Sequence, residues 1–188
     1  MNKEDYACAK DLYGNLPILD SDRLKLRPMR LSDAPDIFEY AGDADVTHFL
    51  RWDAHPDIAA TRRYVENVLK QYKAGDNGPW AIEQKTHRKV IGAIHIITCD
   101  FDNIKAEIGY VLSKEYWNMG FMTEALRELI RFCHYELGMS RVQGLAVTEN
   151  LASSRVMEKA GMIHEGTLRN YLYQKNRHWD ARMYSIIR

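Results

Sequence analysis

The chain is expected to fold as one α/β layer domain, with a mixed, mostly antiparallel sheet of six to seven strands flanked by about four helices. Three observations predict it. Period-two apolar segments, the signature of half-buried strands, form an antiparallel group in the first half of the chain. A strand, helix, strand, helix, strand alternation follows, and no segment repeats another. The 188 residues suffice for one sizeable core, so the expected organisation is an N-terminal arm over 1–20 and a single domain over 21–188.

Each element has its own signal. Residues 1–20 carry no sustained period, read as an arm or short helix ahead of the domain, and end in Leu16-Pro17-Ile18-Leu19. Leu24, Leu26 and Pro28 alternate with Lys25 and Arg27 as a half-buried strand does, and Ser32-Asp33 reads as a helix N-cap with Pro35 in the first turn. From about Ile58 to Lys73, Ala59, Tyr64, Val65, Val68, Leu69 and Tyr72 recur at helical steps, and Gly75-Asp76-Asn77-Gly78 stops this second helix. Trp80-Ala81-Ile82-Glu83 and Val90 to Ile97 flank the polar turn Lys85-Thr86-His87-Arg88, which predicts a hairpin, and Ala106 to Leu112 is a third neighbouring strand. After a loop from Ser113 to Met119, Phe121, Ala125, Leu129, Ile130 and Cys133 keep helical spacing. A helix is therefore expected from Gly120 to about Leu137, with Gly138 capping its end. Arg141 to Thr148 is a strand, Asn150 to Ala160 a short helix opened by an asparagine cap, and Met162 to Leu168 and Met183 to Ile187 are closing strands.

Composition excludes several classes of function. The chain is 46% hydrophobic and 28% charged, as ordinary globular domains are. Twenty-six basic residues against 26 acidic ones give no global field to attract nucleic acid or an anionic membrane. Cys8, Cys99 and Cys133 are odd in number and far apart, which suggests neither a disulfide framework nor a zinc site and fits a reducing cytoplasm. His48, His55, His87, His134, His164 and His178 show no ligand spacing, so no metal is expected. No apolar h-region opens the chain and no window is apolar over the 18 or so residues of a membrane span, so a soluble cytoplasmic protein is expected.

The informative stretch runs from Ala106-Glu107-Ile108-Gly109-Tyr110-Val111-Leu112 through Tyr116-Trp117-Asn118-Met119-Gly120-Phe121-Met122-Thr123-Glu124-Ala125. A strand, a tight loop and a helix start direct unpaired backbone N–H groups and the positive end of a helix dipole at one point, where a pyrophosphate can sit. Gly120 lets the backbone approach closely. With no G-K-[ST] the turn is not a P-loop, and with no G-x-G-x-x-G it is not a dinucleotide fold. By itself, one glycine at such a turn is as well explained by structure alone.

A second segment, Asn150-Leu151-Ala152-Ser153-Ser154-Arg155-Val156-Met157-Glu158-Lys159-Ala160-Gly161-Met162, is followed by His164-Glu165-Gly166-Thr167-Leu168-Arg169. It resembles the N-x-x-S-x-x-V-x-E-K-x-G-F-x-x-E-G-x-L-R pattern of the GNAT superfamily, in the subgroup of ribosomal-protein alanine and serine N-terminal acetyltransferases. The helix start resembles that subgroup's W-x-x-G-x-x-T-E-A, and Leu16 to Arg27 resembles its first strand, so the likeness covers nearly the whole chain from residue 16. The chain departs from the broad superfamily in two places. Trp117, Asn118 and Met122 stand where Gln or Arg, Gly, and Gly or Ala are usual, and Met157 stands where many members have a tyrosine general acid.

The resemblance implies a GNAT-like fold and transfer of an acetyl group from acetyl-CoA to a primary amine, most simply a ribosomal or other protein N-terminus, by a monomer or homodimer. It implies that Tyr110, Val111, Leu112, Asn118, Met119, Gly120, Phe121, Met122, Thr123, Asn150 and Ser153 bind the cofactor. Ser153 is then the nearest replacement for the missing acid. Glu107, a carboxylate in an apolar strand, is read either as the general base or as half of a structural ion pair with an arginine. His95 is a second candidate base or a buried, hydrogen-bonded strand histidine. Trp52, Tyr171, Tyr173 and Trp179 line an acceptor cleft or belong to the core. Competing readings are acetylation of a small amine, such as a polyamine or aminoglycoside, and a non-catalytic acyl-CoA-binding protein.

Overall fold

The computed structural model describes residues 9–188, with side chains from residue 12 onward; Cys8 lies outside the described residues. The chain runs α1 (Ala9–Gly14), β1 (Leu19–Asp20), β2 (Leu24–Pro28), α2 (Ala34–Ala41), α3 (Ala44–Thr47), α4 (Ile58–Ala74), β3 (Trp80–Gln84), β4 (Lys89–Asp100) and β5 (Lys105–Leu112). It continues with α5 (Phe121–Tyr135), β6 (Arg141–Val147), α6 (Leu151–Lys159), β7 (Ile163–Gln174) and β8 (Arg177–Ile187). The strands form one sheet in the order β1-β2-β3-β4-β5-β6-β8-β7, antiparallel throughout except for the β5–β6 pair. This is the mixed, mostly antiparallel α/β sheet expected, with eight strands among the described residues.

Alternation along the strands feeds two cores. Leu24, Leu26, Trp80, Ile82, Ile94, Ile96 and Ile108 face α5, whose Ala125, Leu126, Leu129 and Phe132 are fully buried. Leu12, Tyr13, Leu16 and Leu19 join this same core, and the Tyr13 hydroxyl donates to Ile96 O at 2.9 Å. Ala81, Val90 and Ala93 face the other way, against Ile37, Tyr40, Val65 and Val68 of α2 and α4. The α4 period follows from burying Thr61, Val65 and Val68, and Gly75 ends the helix in the left-handed region at φ 70°.

Two local expectations are corrected. Asp33 precedes α2 but does not cap it: its carboxylate takes a bidentate bond from Arg27 at 2.8 and 2.9 Å and accepts from Arg30 N at 2.7 Å. The closing strands do not break at Leu168 and resume at Met183. β7 and β8 form one long hairpin, turned at Lys175-Asn176 with φ 53° and 56°. Most of β7 is exposed on both faces, and register shifts at His164/Gly166 and Leu168/Leu172 erase the period-two pattern that marks a strand. α1, β1 and α3 are too short to show a period.

Candidate active site

β5 and β6 are hydrogen-bonded in parallel only from Lys105–Arg141 to Ile108–Gly144. Beyond those residues the strands separate. Gly109 to Leu112 keep their antiparallel partners on β4, Gly92 to His95, while their other edge turns toward Leu145, Ala146 and Val147 across an open fork. A strand edge without a partner presents N–H and C=O groups to any extended ligand carrying amides. Tyr110, Val111 and Leu112 line this edge, half-buried.

The fork opens toward the loop before α5. Asn118 and Gly120 both adopt left-handed backbone, with φ 62° and 79°, and Gly120 is the residue from which α5 starts. Among the described residues no backbone carbonyl accepts from the amides of residues 118–123, whereas Glu124 N already bonds Gly120 O at 3.0 Å. The loop therefore offers unspent N–H donors at a helix N-terminus, the elementary anion site. Asn118, Met119 and Gly120 are exposed, but Phe121 and Met122 turn inward and are buried. Any contact those two make to a ligand is thus through the main chain.

A clamp that sequence patterning missed fixes this loop. Arg23, just before β2, donates from Nε to Glu124 Oε2 at 2.6 Å and from Nη1 to Met119 O at 3.1 Å, and its guanidinium lies 4.3 Å from the Phe121 ring centre. Arg23 N and the Ser21 hydroxyl each reach Glu124 Oε1 at 2.7 Å. The readable signal was the Arg23 of the opening strand together with the Glu124 of the T-E-A match. Burial alone would raise the Glu124 carboxyl. The bonds from Arg23 N, Ser21 and the Arg23 guanidinium outweigh it and hold the group below its ordinary value of 4.5. A carboxyl whose folded pKa is depressed stabilises the protein above the unfolded value, and that contribution is lost as pH falls through the folded one. Glu124→Gln is expected to cost about 1 kcal/mol at pH 7, since Arg23 is half-exposed. Thermal unfolding checks this: a difference from the parent as large at about pH 3 as at pH 7 sinks the account.

On the far side of the fork, Asn150 caps α6, accepting from Ser153 N at 3.1 Å. Ser153 is half-buried, and its Oγ lies 2.9 Å from the hydroxyl of Tyr110. The β5 edge and the α6 start thus meet above the fork. Met157 is buried one turn further on, its sulfur 3.1 Å from where a Cβ on Gly144 would stand, so it packs the floor of the fork.

Glu107 sits on the last paired stretch of β5, on the sheet face opposite α5. It accepts from Gln143 Nε2 at 3.2 Å, and Gln143 in turn accepts from Arg141 Nε at 2.8 Å. A glutamine therefore stands between the carboxylate and Arg141, in place of a direct ion pair with an arginine. His95 pairs with Gly109 and shares this face. Burial pushes its pKa down to about 4, so it is neutral at physiological pH. The β4 irregularity between Ile96 and Thr98 lies opposite Glu107, and Ile97 fills the space over Gly109, where a Cβ would meet it at 2.7 Å.

Val111, two residues along, packs against the same core of α2 and α4 as Trp52 and Tyr64, and the rings of Trp52, His55 and Tyr64 lie tilted at 5.3 and 5.8 Å. Trp52 thus belongs to this face of the fork. Trp179 is instead buried against Phe49 and His48 under the β7–β8 turn, and Tyr171 and Tyr173 are exposed on β7. Gln174 Nε2 donates to Phe49 O at 3.0 Å and Lys175 Nζ to Thr47 O at 2.8 Å, which holds the hairpin tip over the segment after α3. Burial pushes the Cys99 thiol up to about 12 and that of Cys133 higher still, so neither is a thiolate nucleophile at neutral pH. Among the described residues no cluster of His, Cys, Asp or Glu is arranged to hold a metal, and no helix is long and apolar enough to cross a membrane.

An anion-directed helix start and a strand edge leading away from it are arranged to hold an extended anionic ligand that carries amides. The chain belongs to the family described as Acetyltransferase (GNAT) domain, which matches residues 23–163. It is 31% identical over 172 residues to an uncharacterized N-acetyltransferase, YoaA, of Bacillus subtilis (strain 168), a match covering 92% of this chain and 97% of that one. A Bacillus subtilis (strain 168) protein provisionally named ribosomal N-acetyltransferase YdaF is 38% identical over 97 residues, 52% of this chain and 53% of that one. Among solved structures, a GNAT-family acetyltransferase from Bacillus anthracis superposes with a TM-score of 0.80 at 26% identity, covering 91% of this chain and 98% of that one. The protein is an acetyl-CoA-dependent N-acetyltransferase.

Proposed function

We propose that the acceptor is the α-amino group of a protein N-terminus, a ribosomal protein being the class suggested by the partial match to YdaF. The amides of residues 118–123 hold the pyrophosphate of acetyl-CoA, and the free edge of Tyr110, Val111 and Leu112 holds its amide-bearing arm. The unprotonated amine attacks the thioester carbonyl directly. Glu107 takes the proton, and the Ser153 hydroxyl hydrogen-bonds the departing sulfur. The observation that carries this reading is the fork, which leads from the unspent loop amides to the face bearing Glu107.

The acceptor class follows from the modest acid–base equipment. Near pH 7.4 an α-amine with pKa near 7.7 to 8.0 is about a quarter neutral, while a lysine at about 10.4 is neutral roughly once in a thousand. A half-buried carboxylate hydrogen-bonded to one glutamine suits the first. Peptides with a free N-terminus should therefore be acetylated on the order of a hundredfold faster than the same peptides with a blocked N-terminus and one internal lysine. A screen that also contains spermidine and an aminoglycoside checks this. A lysine, polyamine or aminoglycoside outrunning every free N-terminus overturns the acceptor assignment.

A further inference from the structure

Ser153 donates to sulfur only if its own proton is free to point there, and Tyr110 decides whether it is. The phenolic oxygen of Tyr110 lies 2.9 Å from Ser153 Oγ and 3.1 Å from Ser153 O. A phenol carries one proton and here has two acceptors. When that proton goes to the carbonyl, the phenolic oxygen accepts from the serine hydroxyl, which then points back into the β5 edge and away from the ligand groove. When it goes to Oγ, the serine proton is released to point elsewhere. Ser153 N is already committed to the Asn150 cap, so the backbone at this residue is fixed and only the hydroxyl can turn.

We propose that Tyr110 is a positioning residue for the transfer reaction, donating to Ser153 Oγ so that the serine hydroxyl turns to the sulfur leaving acetyl-CoA. The proposal rests on the transferase reading of Ser153. As the C–S bond breaks, sulfur keeps the electron pair, and the growing negative charge favours the arrangement in which Ser153 O–H faces it. No proton leaves Tyr110 or Ser153. The amine loses its proton to Glu107, and the thiolate is protonated from solvent after release. Burial in the sheet pushes the Tyr110 phenol well above its ordinary range, with the Ser153 bond opposing and Tyr184 adding, so it remains a donor across the pH range of activity. The same burial explains the residue type, since an unbonded hydroxyl would be costly there and the ring alone would serve for packing.

Tyr110→Phe keeps the ring and deletes the switch. At saturating acetyl-CoA its kcat should fall about two- to tenfold, the value of one neutral hydrogen bond made in the transition state, with CoA affinity by calorimetry changed less than about twofold. Because Tyr110 acts through Ser153, the double variant with Ser153→Ala should be no slower than Ser153→Ala alone. A Tyr110→Phe enzyme with parental kcat, a double variant whose losses multiply, or a kcat loss matched by an equal loss of CoA affinity each overturns the positioning role and leaves the transferase reading standing. A parent protein that releases no CoA with any amine overturns both.

Discussion

Glu107→Gln should slow acetyl transfer to an α-amine by about 10² to 10⁴ at neutral pH, the usual worth of general-base assistance, with acetyl-CoA affinity nearly unchanged. Gln keeps the shape and can still bond Gln143, whose amide donates to the carboxylate at 3.2 Å in the parent. What it lacks is the charge that draws a proton from nitrogen. His95 is a poor stand-in, because burial pushes its pKa down to about 4 and leaves it little tendency to take a proton from the amine. The deficit should shrink above about pH 9, where an α-amine is already deprotonated without help. Steady-state kinetics from pH 6 to 10 checks it. A variant equally impaired at both ends, or fully active at pH 7, removes Glu107 from the mechanism.

Gly120→Val is the second large effect. At φ 79° a β-branched residue is strained by about 1 to 3 kcal/mol, and its side chain would stand over the loop where donors must reach an anion. The Arg23 guanidinium closes the other side, with a nitrogen 3.5 Å from the position of a Cβ. Loss of two charge-assisted bonds of about 1.5 to 3 kcal/mol each predicts a fall in CoA affinity of at least about a hundredfold. Calorimetry with CoA reads it directly. An unchanged affinity in a folded variant would place the pyrophosphate elsewhere than on residues 118–123.

Much of the frame was legible because it is written in periods. The alternation of Leu24 and Leu26, the polar turn at 85–88 between β3 and β4, and the buried stripe of α5 each report a local backbone shape. The asparagine opening α6 was legible as a cap from its residue type, and the N-x-x-S match singled out Ser153, which lies beside Tyr110 at the fork. Partners were not legible, because periodicity carries no information about what lies across space. Asp33 looked like a cap until Arg27 claimed its carboxylate. Arg23 and Glu124 are 101 residues apart, and Tyr110 and Ser153 are 43 apart, so neither pair leaves a local pattern. The Lys175-Asn176 turn lacked the glycine that announces a tight hairpin, which hid the middle of β7 and β8.

The parting of β5 from β6 also bears on the mechanics of the molecule. Sheet strands share load through their ladder, and here the ladder is unfinished for half its length, so β1 to β5 and β6 to β8 are two plates riveted at one end. α5 spans the seam by packing on β1 and β2 on one side and on β6 on the other. A ligand lying in the gap with its amides bonded to both rims would act as the missing rivets. Such a ligand would add RT ln(1 + [L]/Kd) to the stability of the folded chain, with or without an acetyl group on its sulfur, because the bridging amides lie in the arm and not in the acyl group.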